Sequence, residues 1–256
     1  MYLRAVHAES HLPTLRAFIK NNPLGILTTA ISSAVHPFIQ SSHIPWILDV
    51  ASDDSETETG VLRGHMARQN PQAKAIVESV TAANPPAASV SGGVQLKDEV
   101  LALFNGPVHH YVTPKFYTET KPATGRVVPT WDYSAVQAYG KATIFFDSGP
   151  ESAKFLSKQI DELSDHAERS ILGHIGELGR PGPWKVADAP ERYIGLMQKA
   201  IIGIQIDIKR LEGKFKMSQE LGTGDRAGVV EGFRNLGTET GKAMVECVQE
   251  REKKSK

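Results

Sequence analysis

Six short segments between residues 24 and 146, LGILTTAI, HIPWILDV, GVLRGHM, EVLALFNG, HHYVT and VQAYGKATIFF, are rich in β-branched and aromatic residues and separated by turn formers. They predict an antiparallel β-core. A later segment, IIGIQIDIKRLEGKFKMS, alternates Ile202, Ile204, Ile206 and Ile208 as a half-buried strand does, so the chain is expected to return to the same sheet. Helices punctuate this pattern. Leu12, Leu15, Phe18 and Ile19 fall at helical spacing before Asn-Asn-Pro and predict a helix over 12–21. GPESAKFLSKQIDELSDHAE predicts an amphipathic helix from Pro150, and APERYIGLMQKA a shorter one opened by Pro190.

The expected architecture is mainly β (α+β), an antiparallel split β-barrel with peripheral and C-terminal helices. Residues 1–215 form the barrel domain and 216–256 a helical extension that ends in a charged terminus. Two stretches read as mobile surface insertions: the acidic ASDDSETETG at 51–60, without apolar content, and the Pro/Gly/Ser-rich segment around 81–93.

Composition narrows the function classes. The 29 Lys+Arg balance 29 Asp+Glu, so no global field draws in nucleic acid, and the terminal REKKSK is a short charge run of the kind that is usually solvated. A lone cysteine, Cys247, excludes an internal disulfide framework and any paired-cysteine metal or redox motif. MYLRAVHAES lacks an apolar signal core, and no apolar run approaches the roughly 20 residues of a membrane span. A cytoplasmic location is expected, with the nucleus as an alternative and no membrane partner. His7 and His11, and the adjacent His109 and His110, have no carboxylate or cysteine at ligand spacing, so no metal site is expected.

GVLRGHMARQNPQ, residues 60–72, gathers Arg63, His65 and Arg68 ahead of Asn70 and Pro71, a good N-cap and a good first helical residue. In a strand Arg63 and His65 point the same way, and Gly64 lets a backbone or flat ligand approach. Arginine forks beside free helix amides make an anion cradle, to which solvated strand charges are the alternative. Thr130, Trp131 and Tyr133 stand before a strand, suited to stacking around a planar ring, or to ordinary core packing. Lys214, Lys216 and Ser218 share one face at the end of the late strand, followed by Gln219.

Together, LRGHMARQNP, FNGPVHHYVTPKFY, KPATGRVVPTWDY and RLEGKFKMSQE…DRAGVVEGF resemble successive blocks of the PaiB-type family, from MYLRAVH to about Phe233. The resemblance implies a flavin mononucleotide (FMN)-binding split barrel, usually dimeric, with cofactor sites between subunits and a family label of transcriptional regulator. It implies cofactor roles for Arg63, Gly64, His65, Arg68 and Asn70, for Thr130, Trp131 and Tyr133, and for Lys216, Ser218 and Gln219. Arg63 and Arg68 would carry the phosphate with Lys216 and Ser218, and Trp131, Tyr133 and His65 would frame the ring or ribityl chain. A flavin-dependent oxidoreductase fed by reduced nicotinamide and a flavin-linked regulator, with DNA as a partner, both remain open, and no residue is nominated as catalytic. The cofactor alternative is haem, with His43 or His65 as axial ligand. His43 could instead be a satisfied core histidine. Two departures stand out: Asp132 and Glu220 are carboxylates where the family pattern has amides. Each negative charge there needs a partner if it is not to repel a phosphate or a reduced flavin.

Overall fold

The computed structural model describes residues 1–82, 89–90 and 92–254. In chain order the elements are β1 (Ala8–Glu9), α1 (Leu12–Asn21), β2 (Leu24–Ala30), β3 (Ile39–Pro45), β4 (Ile47–Asp49), β5 (Val61–Ala67), α2 (Pro71–Thr81), β6 (Ser89–Val90) and β7 (Gly93–Asn105). They continue with β8 (His110–Val112), α3 (Thr120–Thr124), β9 (Thr130–Phe145), α4 (Pro150–His166), α5 (Glu191–Lys199), β10 (Ile201–Lys216), α6 (Thr223–Arg234) and α7 (Glu239–Lys254). The helices expected at 12–21 and from Pro150 form at those places, and the helix expected after Pro190 runs over Glu191–Lys199.

The main sheet runs β3-β2-β7-β9-β10-β5-β4, with every pairing antiparallel. β3 and β4, the two ends of this path, are consecutive in the chain and separated by Trp46 alone. The sheet therefore curls until its ends meet at one residue, yet no ladder among the described residues closes it. Trp46 turns inward at this seam and is 2% exposed. Its ring leaves no room for side chains on the strands it faces: a Cβ at Gly64 would stand 2.9 Å from the Trp46 ring and 2.9 Å from Ile44, and one at Gly25 would meet Trp46 and Phe104. Around it pack Leu62, Phe104 and Ile144 with Ile202, Ile204 and Ile206, the alternating residues of the late strand.

A second apolar cluster lies beside the first. Val112 and Tyr117 pack with Met217, Val229, Phe233, Met244 and Val248, so α6 and α7 close over the segment between β7 and β9. The acidic loop is organised, contrary to the expectation of mobility. Arg16, 1% exposed on α1, donates to the carbonyls of Asp53 and Ser55, both at 2.6 Å, and to that of Glu58. Backbone oxygens around a buried guanidinium hold the loop where apolar contacts cannot. The Pro/Gly/Ser-rich stretch falls largely outside the described residues. No helix among the described residues is long and apolar enough to cross a membrane.

Candidate functional site

The first group of candidate residues lies at the end of β5. Strand alternation sends Leu62, Gly64 and Met66 into the barrel and puts Arg63 and His65 together, as the sequence implies, on the outer face. Helix α4 covers that face. Arg63, 4% exposed, forms a two-pronged ion pair with Asp49, a second ion pair with Glu162, and a 3.2 Å hydrogen bond to Gln159 Oε1. Burial opposes its charge, but the two carboxylates outweigh that cost and hold the guanidinium more firmly protonated than usual. Arg63 is a buried cation whose guanidinium is engaged within this chain by Asp49, Glu162 and Gln159. Gly64, in turn, makes room for Trp46 inside the barrel.

Arg68 and Asn70 turn to opposite sides of β5. Arg68 reaches over β10 and donates to the carbonyls of Phe146 (2.7 Å), Lys199 (3.2 Å) and Ile201 (3.2 Å). It lines a cavity of about 400 Å³ between the start of α4 and α5. Asn70 caps α2, its side-chain oxygen accepting from Gln72 N at 2.9 Å, while its amide donates to Ser42 on β3. Arg63, Arg68 and the α2 amides therefore do not converge within one chain. Of the two arginines, only Arg68 lacks a carboxylate partner among the described residues.

His65 lies on the same outer face of β5, and its Nδ1 is buried without a hydrogen-bond partner among the described residues. Burial pushes its pKa below the ordinary 6.5. In the interval between the lowered folded value and 6.5, the unfolded chain binds a proton that the folded chain refuses. This histidine's contribution to stability is therefore complete above 6.5 and is lost as the pH falls below it. His65→Leu is expected to flatten the acid-side loss of stability, read from urea midpoints at about pH 7.5 and 5.5. An unaltered slope would contradict the assignment. His43 is not a core histidine, since it sits exposed on β3.

The second group lies where β9 begins and β10 ends, with Tyr133 opposite Lys216. Trp131 is 49% exposed, donates its indole N–H to His109 Nδ1 at 3.2 Å and meets Tyr111 edge-on. Thr130 and Tyr133 are half-buried beside it. Behind this aromatic face Asp132 is fully buried and accepts from Ser218 Oγ (2.7 Å), Ser218 N (3.2 Å) and Lys216 Nζ (3.3 Å). Lys216 also pairs with Glu220 at 2.9 Å, and Glu220 with His7 at 3.0 Å. Burial raises the pKa of Asp132 against these hydrogen bonds. Burial pulls Glu220 upward too, but Lys216 and His7 more than offset it and leave its pKa lowered. Gln219 folds back, accepting from Met217 N and donating to the Phe215 carbonyl. Both unexpected carboxylates are thus paired internally. Sequence reasoning missed Asp49, Glu162 and His7, and only the need of Asp132 and Glu220 for a cation pointed toward this network.

Strand β10 joins the two groups. Its first residue pairs with Ala67 and its last with Tyr133, so the groups sit at opposite ends of a 16-residue strand. That is about 50 Å of contour at the usual rise per residue.

Residues 1–210 match the protein family described as "Putative FMN-binding domain". The chain belongs to this family. It is 59% identical over 257 residues to an uncharacterized protein of Aspergillus fumigatus, covering 98% of this chain and 97% of that one. It is 22% identical to the protease synthase and sporulation protein PAI 2 of Bacillus subtilis, with 99% of each covered. Among solved structures, the flavocytochrome Anf3 of Azotobacter vinelandii superposes with a TM-score of 0.45 at 10% identity, over 84% of this chain and 72% of that one. The pyridoxamine 5'-phosphate oxidase-related FMN-binding protein of Nostoc punctiforme gives a TM-score of 0.36 at 11% identity, over 83% and 86%. The FMN-binding domain span takes in the β5 group and Thr130–Tyr133, and Lys216, Ser218 and Gln219 lie just beyond it.

Proposed function

We propose that the chain binds FMN at a site completed by a second identical copy, and that the protein works through the bound flavin. Family membership supports the ligand. The single observation that carries the two-copy reading is the separation of the candidate groups along β10. A ligand of flavin length touches both groups only if the aromatic end of one copy faces the β5 end of another.

At the β5 end, Arg68, which forms no ion pair with a carboxylate among the described residues, fits a phosphate. At the other end Trp131, half-exposed and fixed by His109, offers a stacking surface, with Thr130 and Tyr133 beside it. When bound, flavin supplies the redox chemistry, and the protein's part is to orient the ring and exclude water from one side of it. Reduced nicotinamide is the proposed electron donor.

Flavin fluorescence titration, paired with sedimentation of the same samples, tests this. One FMN per chain in a two-chain particle supports the proposal. A flavin-saturated monomer, or a protein that takes up no flavin, overturns it. Anaerobic addition of reduced nicotinamide should then bleach the flavin band, and a band that stays oxidised refutes the redox role.

A further inference from the structure

The family pattern casts Lys216 as a cofactor ligand, yet here its ammonium is already used twice, by Asp132 at 3.3 Å and Glu220 at 2.9 Å. We propose that Lys216 is a positioning residue, the centre of an internal brace made with Asp132, Glu220, Ser218 and His7, and that it does not bind the ligand's anion. The inference rests on the flavin reading for the identity of the ligand, but the brace itself does not.

The brace ties together parts of the chain that no single element holds. His7 comes from the N-terminal segment, Asp132 from the start of β9, Lys216 from the end of β10, and Ser218 and Glu220 from the turn that follows. Ser218 has φ +59°, a left-handed conformation uncommon for a residue with a side chain. Both its amide and its hydroxyl donate to Asp132, which compensates that backbone and fixes the turn. Asp132 lies between Trp131 and Tyr133 on the same strand, so the brace sets the side of β9 that presents the aromatic face. A carboxylate serves better than an amide at position 132, because it accepts from Ser218 and Lys216 at once. Glu220 then takes a second contact from the same ammonium and fastens His7. Beside this face Lys214, without a carboxylate partner among the described residues, donates to the Tyr2 carbonyl at 3.2 Å and lies 5.6 Å from the Tyr133 ring centroid.

Riboflavin shares the ring and ribityl chain of FMN and lacks the phosphate, so the two ligands separate the roles. In the full-length protein, Lys216→Met is expected to weaken FMN and riboflavin by the same factor, tenfold or more, and to shift the Trp131 emission. Selective loss of FMN, with riboflavin unchanged, would overturn the proposal and make Lys216 an anion ligand. A double-mutant cycle of Asp132→Asn with Lys216→Met, read as the unfolding equilibrium constant, tests the brace without any flavin. Coupling is expected: the double variant should be disturbed at least several-fold less than the product of the single effects. Multiplicative effects would overturn the brace. A wild-type protein that binds neither flavin would defeat the flavin reading alone and leave the cycle to decide this one.

Discussion

Replacing Asp49 by Asn and Glu162 by Gln together should destabilise the protein by about 3–5 kcal/mol, because a guanidinium under α4 is then left buried without its counter-charges. Arg63 is 4% exposed, and its carboxylate partners are 42% and 44% exposed at the side chain. The converse variant, Arg63→Met, removes the buried charge and leaves two carboxylates that water can reach, so it should cost clearly less. Urea unfolding of the two variants separates these cases, and equal costs would contradict the reading. Arg63→Met should also leave flavin affinity unchanged. An affinity loss of tenfold or more would return Arg63 to the phosphate.

Trp46→Ala should cost about 3–5 kcal/mol, the usual penalty for emptying a large, fully packed aromatic site. The effect belongs to the seam: Trp46 alone separates the strands that end the sheet, and its ring fills the space left by Gly25 and Gly64. Gly64→Ala meets the same ring from the other side and should cost about 1–3 kcal/mol by overpacking. Thermal or chemical unfolding reads both. A Trp46→Ala protein as stable as the wild type would mean that the interior is not closed at this seam.

Elements whose signals are local were legible in the sequence. The 12–21 helix has its apolar stripe, α2 has Asn70 and Pro71, and β10 has its alternating isoleucines. The shared direction of Arg63 and His65 was legible as well. What covers that face was not, because Gln159 lies 96 residues further along the chain and Glu162 lies 99. The acidic loop misled for a different reason: it is held by backbone carbonyls, which composition does not register. At the far end of β10, a partner for Asp132 and Glu220 could be sought in Lys216 nearby, whereas His7 is 213 residues from the glutamate it binds.

Complementation between two defective chains bears most directly on the site shared between copies. One chain carries Arg68→Ala, and the other carries Trp131→Ala. Each alone should bind flavin poorly. After the two are unfolded together and refolded as a mixture, a mixed pair has one site with both ends damaged and one with both ends intact. Flavin binding should therefore reappear, to about a quarter of all sites if pairing is random. If the mixture binds no more flavin than its separate components, each chain holds its own site and the two-copy arrangement is wrong.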